Sequence, residues 1–163
     1  MELKQPRKKD KDEALCALMD RCARAEVCIS DAKRLMSRWG VEPQEQAGII
    51  EKLIREKFID ERRYAEAFVR DKLTFSRWGA RKITEALYQK RIPKTYIESA
   101  MEQADPDDLE KKLEHDLIRK RNNIKDDDLR KVKEKLLRFG VSRGYGYDVV
   151  VSVIERIIMS GDD

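Results

Sequence analysis

Residues 30–54 read SDAKRLMSRWGVEPQEQAGIIEKLI, and their punctuation decides the fold class. Ser30 is a good helix N-cap, because its hydroxyl can accept a hydrogen bond from a backbone N–H that has no partner inside the helix. Leu35, Met36 and Trp39 then recur at helical spacing until Gly40, a residue that readily takes the left-handed conformation closing a helix. Pro43 suits the first turn of the next helix, where a missing N–H does no harm. Ile49, Ile50, Leu53 and Ile54 line that helix's apolar face.

Working outward, the same grammar repeats. Upstream, Ala14, Leu15, Leu18 and Cys22 line one face of a first helix. Downstream, Asp60 can cap a helix carrying Tyr64, Ala65, Phe68, Val69 and Leu73, which Ser76 and Gly79 interrupt. A helix with Ile83, Ala86 and Leu87 follows, and Pro93 opens another with Ile97 and Met101. Asp105-Pro106 starts a third cycle: Leu109, Leu113 and Leu117 mark its first helix, and Leu129, Val132, Leu136 and Leu137 its second. Val149, Val150, Val153, Ile154 and Ile157 mark the last. The valines there would suit a strand, but the apolar spacing stays helical through Ile157.

The register closes on three triplets. Trp39-Gly40-Val41, Lys90-Arg91-Ile92 and Arg143-Gly144-Tyr145 each end a second helix, with centres 51 and 53 positions apart. Ile49, Ile97 and Val150 then hold equivalent places on the third helices, as do Leu53, Met101 and Ile154. A period near 50 repeated three times predicts stacked units that bury one another's apolar faces. The fold expected is all-α: three tandem three-helix repeats over 12–58, 59–104 and 105–160, preceded by a disordered basic tail, 1–11. Charged residues make up 42% of the chain against 40% hydrophobic, a balance that suits an elongated body with much surface for its volume.

Net charge is +4, unevenly spread. Residues 1–11 carry +3 and 60–92 carry +4, whereas 105–128 carry −3. A basic centre favours a polyanion or an acidic protein surface, although charge alone also fits a solvated helix face. Cys16, Cys22 and Cys28 form no CxxC pair, and His115 is far from them in sequence, so neither metal nor disulfide is expected. No apolar leader or membrane-length apolar run occurs, so a cytoplasmic location is expected.

Enzymatic patterns are absent. There is no phosphate-binding glycine loop, and Gly144-Tyr145-Gly146 follows no strand. Asp105/Asp107/Asp108 and Asp126/Asp127/Asp128 lack the later glycine and glutamate of a calcium loop, and they stand where helices begin, where carboxylates cap. A binding protein without cofactor is expected.

The informative segment is 58–92, FIDERRYAEAFVRDKLTFSRWGARKITEALYQKRI. Arg70, Lys72, Arg77, Arg81 and Lys82 crowd into thirteen residues opposed only by Asp71, with Phe75 and Trp78 among them. Arginine grips carboxylate or phosphate with two N–H groups and stacks on aromatic planes. Phe75 and Trp78 have two readings, as plugs at a joint between helices or as partner contacts.

This segment resembles the RecX regulatory family, which modulates the RecA recombinase. Phe58-Ile59-Asp60-Glu61, Arg63-Tyr64-Ala65 and Phe68-Val69 match its first motif; Gly79, Lys82-Ile83, Leu87, Lys90 and Ile92 match its second. Arg138-Phe139, Arg143-Gly144-Tyr145 and Asp148-Val149-Val150 match its C-terminal element, so the resemblance covers about residues 12–159. Arg91 stands where the family has glycine, which removes an easy left-handed cap and implies a different helix end. Cys22 to Cys28 replaces the family's basic turn, leaving Arg24 as its one stand-in.

The resemblance implies a curved array lying in the groove of the RecA–DNA filament. There it would block growth or promote disassembly, and so inhibit recombinase, ATPase and co-protease activities. The contacts expected are Arg63, Arg70, Lys72, Arg77, Arg81 and Lys82, with Arg63 alternatively bracing a helix joint. Single- or double-stranded DNA is a second expected partner, and a nucleic-acid-binding repeat protein for which RecA is incidental is the alternative function. A scaffold for an unrelated partner is a third. A monomer is expected.

Overall fold

The computed structural model describes residues 6–161. Among them, nine α-helices and one π-helical turn follow in order: α1 (Lys11–Arg24), α2 (Ile29–Arg38), α3 (Pro43–Arg55), α4 (Glu61–Asp71), the π turn (Lys72–Ser76), α5 (Ala80–Gln89), α6 (Lys94–Met101), α7 (Pro106–Asn122), α8 (Leu129–Ser142) and α9 (Tyr147–Met159). The valine-rich stretch is helical, as its spacing requires.

Two compact units result. One holds the residues up to Phe68 with Leu87–Ala100; the other holds Val69–Ala86 with the residues from Met101 on. The residues of the middle repeat are thus divided between them. In the first, Ala14, Leu18, Ala32, Met36, Ile50 and Leu53 from α1, α2 and α3 form a core with Val27, Val41 and Ile59. In the second, Leu113, Leu117, Leu136, Val150, Val153 and Ile157 from α7, α8 and α9 do the same. Gln46, buried in the first, is satisfied: its amide donates to the Val41 carbonyl (2.8 Å) and to Ser37 Oγ (3.1 Å).

Local chemistry sets the helix ends. Asp10 caps α1 reciprocally with Glu13: the Glu13 N–H donates to Asp10 Oδ1 (2.8 Å) and the Asp10 N–H to Glu13 Oε2 (3.2 Å). Asp105 accepts from Asp107 N–H and Asp128 from Arg130 N–H, so both acidic clusters supply caps. Of the expected tail, residues 1–5 lie outside the described residues. Further along it is held in place: the Lys9 N–H donates to the Trp39 carbonyl at 3.1 Å, and Lys11 already belongs to α1 because the capping box begins it there.

The three triplets share one geometry. After α2, Gly40 N–H reaches Ser37 O and Val41 N–H reaches Met36 O. After α5, Arg91 N–H reaches Tyr88 O and Ile92 N–H reaches Leu87 O. After α8, Gly144 N–H reaches Val141 O and Tyr145 N–H reaches Gly140 O. Each is the paired closure in which a left-handed residue satisfies the last carbonyls and buries the apolar residue after it. The central residues have φ +77°, +59° and +95°. The different end expected for α5 is therefore corrected: Arg91 takes the same left-handed conformation despite its Cβ, because Ile92, 3% exposed, is pulled into the core behind it. Arg91→Gly should accordingly stabilise the protein by about 0.5–1 kcal/mol, read as a higher denaturant midpoint with unchanged slope. No gain would mean that the strain is absorbed elsewhere.

Candidate partner-binding surface

The basic residues of 58–92 fall into two groups by what their side chains already hold. Arg63 lies in the first unit. Its Nε donates to Glu26 Oε1 at 2.6 Å, and its Nη2 to the carbonyls of Lys57 (3.1 Å) and Phe58 (3.3 Å). Lys57, at φ +61°, closes α3, so Arg63 braces the joint between α3 and α4. The hydrogen bond to Glu26 raises the guanidinium's pKa further above its ordinary value. Nearby, α2 has no capping side chain of its own; Glu61 reaches over from α4 to accept the Ile29 N–H at 3.1 Å. Lys90 pairs with Asp31 at 2.8 Å. Burial pushes the Asp31 carboxyl up, but hydrogen bonds from Lys90 and Cys28 and the charges of Lys90 and Arg34 outweigh it and hold it below its ordinary value.

In the second unit the chain tightens. The π turn ends at Arg77, left-handed at φ +53°. Arg77 Nε donates to both Asp116 oxygens (3.0 and 2.9 Å) and its Nη2 to the Lys112 carbonyl (3.3 Å). Asp116 is 4% exposed, so this is a largely desolvated ion pair, and it keeps the guanidinium firmly charged. Beyond it, the start of α5 meets the end of α8 backbone to backbone. Gly79 N–H donates to Arg143 O (2.7 Å) and Arg81 N–H to Gly144 O (3.2 Å). These are orphan donors of a helix N-terminus meeting carbonyls at a helix C-terminus, so dipoles of opposite sign face each other. Lys82 Nζ adds a bond to Ser142 O (3.3 Å), and Arg143 reaches back to Ser76 O (3.2 Å).

Glycine at 79 is required by space. A Cβ there would lie 2.5 Å from both the carbonyl carbon and oxygen of Gly144. Trp78 has the ammonium groups of Lys72 and Lys82 each 4.4 Å from its ring centre, a cation–π arrangement that also orders both lysines.

Of the six residues expected to make contacts, Arg63, Lys72, Arg77 and Lys82 thus take part in holding the fold. Arg70 is exposed, and the side chain of Arg81, 66% accessible, makes a surface pair with Glu85 one turn on. The two aromatics part company: Trp78 is half-buried among the lysines, whereas Phe75 is 81% exposed, so the plug reading fails for Phe75. Asp116, which helps fix this surface, carries no local sequence signal and is recognisable only once α7 is placed; Arg143 stands in a motif visible in the sequence, but its reach to Ser76 is not. The cysteines divide similarly: Cys28 is buried, Cys22 half-buried and Cys16 exposed. No helix among the described residues is long and apolar enough to cross a membrane.

Residues 60–101 match the family model described as RecX, second three-helix domain. Regulatory protein RecX of Clostridium botulinum (strain Eklund 17B) is 38% identical over 106 residues, covering 62% of this chain and 48% of that protein. Regulatory protein RecX of Oceanobacillus iheyensis is 27% identical over 122 residues, covering 75% and 45%. The chain spans about half the length of the curated relatives it matches. The crystal structure of RecX from Lactobacillus salivarius superposes with a TM-score of 0.74 over 91% of this chain and 97% of that one, at 19% identity. A crystal structure of regulatory protein RecX gives 0.79 over 89% and 73%, again at 19%. At that identity the likeness speaks to the fold.

Proposed function

Because the chain belongs to the RecX family, we propose that it is a regulatory protein that binds the RecA–DNA filament. It restrains recombinase, ATPase and co-protease activities by blocking filament growth or promoting disassembly. The observation that carries this reading is the match of residues 60–101 to the second RecX domain, the stretch that holds the basic segment. That the relatives are named regulatory proteins supports a role in binding and not in catalysis.

Within the segment, Arg70 and Arg81 are the direct contacts, and Lys72 and Lys82, ordered against Trp78, extend the same cationic surface. Arg77 and Arg63 serve indirectly by fixing the backbone. The separation has an experimental use: reversing Arg77 would set a second carboxylate beside Asp116 and unfold the site, so a loss of function there says nothing of contact.

The test is hydrolysis of ATP by the cognate RecA on single-stranded DNA while this protein is titrated in. Inhibition is expected well below one molecule per RecA. The double variant Arg70→Glu/Arg81→Glu should need about ten times more protein, since two rim charges together contribute roughly 1–2 kcal/mol, and its melting temperature should be unchanged. Full inhibition by the variant would remove both arginines from the contact surface. Absence of inhibition by the wild-type protein, with binding to DNA alone that weakens steeply with salt, would favour the nucleic-acid-binding alternative that the basic segment also suits.

A further inference from the structure

Phe75 is 81% exposed, more than Met159 (77%) or Tyr147 (61%), and it is the one of these that sits inside the basic segment. It lies on the π turn, whose Leu73 points into the protein (9% exposed) and whose end is fastened by Arg77 to Asp116. An aromatic ring on a flexible loop would lose much of its binding energy on being ordered. This one is held out by a backbone already fixed on both sides. Single-turn π-helices interrupting α-helices are often found at functional sites. Arg70 and Asp71 precede Phe75 by about one turn, and Val69–Ala86 carries five Lys/Arg against Asp71 and Glu85.

We propose that Phe75 is an anchor that inserts into an apolar pocket rimmed by carboxylates on a protein partner, with Arg70 and Arg81 facing that rim. The proposal rests on the filament reading given above, and so places the pocket on RecA. A protein pocket is favoured over nucleobase stacking by the aromatic count. Proteins that grip single strands stack successive bases on several rings. Here the second ring, Trp78, already has two ammonium groups at 4.4 Å. Of the two rings in Val69–Ala86, that leaves Phe75 as the one held out to solvent amid cations, which is the pattern of a hot spot: a central apolar residue with a polar surround.

The experiment compares the full chain with Phe75→Ala, Phe75→Leu and Phe75→Trp. Each is measured for affinity to cognate RecA filaments assembled on single-stranded DNA with a non-hydrolysable ATP analogue, and to the same DNA bare. Melting temperatures serve as a control; an exposed ring should leave them unchanged. Phe75→Ala should bind filaments ten- to a hundredfold more weakly, Phe75→Leu should recover most of the loss, and binding to bare DNA should not respond. If Phe75→Leu is as weak as Phe75→Ala, Phe75→Trp is tight and bare DNA shows the same order, the ring stacks on a base and the pocket is wrong. Wild-type affinity in Phe75→Ala would overturn the anchor while leaving the filament reading intact. No filament binding by the wild-type protein would overturn both.

Discussion

Gly79→Ala should unfold, or nearly unfold, the unit that contains it. The added methyl would lie 2.5 Å from the Gly144 carbonyl and 2.7 Å from the Tyr145 nitrogen, all of it backbone, so no side chain can swing away to make room. The helices must separate, and separation breaks the bonds from Gly79 N–H to Arg143 O and from Arg81 N–H to Gly144 O. Overpacking of this kind costs about 1–3 kcal/mol and the lost backbone bonds about 1 kcal/mol each. The expected loss is therefore about 3–5 kcal/mol, a fall of more than about 10 °C in melting temperature for a unit of this size. Gly48→Ala is the matched control: a Cβ there meets nothing within 4 Å, and the site is interior to α3. It should gain about 0.5–1 kcal/mol. Circular dichroism melts of the two variants check the pair of expectations, and similar behaviour at both positions would refute the close approach.

The second large effect is expected at Asp116. Asp116→Ala strands the Arg77 guanidinium, whose remaining hydrogen-bond acceptor among the described residues is the Lys112 carbonyl. Removing one member of a buried pair typically costs about 3–5 kcal/mol. Arg77 keeps 31% of its side chain in contact with water, so about 2–3 kcal/mol is the better expectation here. Replacing both partners, as Arg77→Met with Asp116→Leu, should recover most of that loss, because no charge is then left unpaired. Denaturant titration of Arg77→Met, Asp116→Leu and the double variant gives the coupling directly. A coupling under about 0.5 kcal/mol would mean that Arg77 and Asp116 are neighbours without interdependence. The same variants bear on Phe75: if the ion pair fixes the π turn, Asp116→Ala should weaken filament binding beyond what its unfolded fraction accounts for.

What could be read from the chain divides along sequence distance. Caps such as Asp105 and Asp128 act over two residues, and the closures at Gly40 and Gly144 over five, so their spacing is visible in the sequence and the nine helices follow from it. The capping of α2 by Glu61 acts across 32 residues and the grip of Asp116 on Arg77 across 39, and neither leaves a local pattern. The basic segment was conspicuous for the same reason that its residues were hard to sort. Arginines that brace a fold and arginines that meet a partner have the same composition and spacing, and only the position of a carboxylate or carbonyl elsewhere in the chain tells them apart. Arg91 shows the limit from the other side. Its side chain argued against a left-handed closure, yet the burial of Ile92 outweighs a local cost of about 1–2 kcal/mol.

The meeting of α5 with α8 also bears on the order in which the protein can form during synthesis. The bonds that fasten Lys82 to Ser142 and Arg143 to Ser76 join residues 60 and 67 positions apart. At ribosomal speeds of about 5–20 residues per second, roughly 3–12 s pass between the emergence of the basic segment and that of the carbonyls that receive it. Throughout that interval the residues of the first core are already outside the exit tunnel, up to and including Ile59. The residues of the first core thus leave the ribosome ahead of a cationic, aromatic stretch, and the surface proposed to meet the partner takes shape only when the end of α8 is delivered.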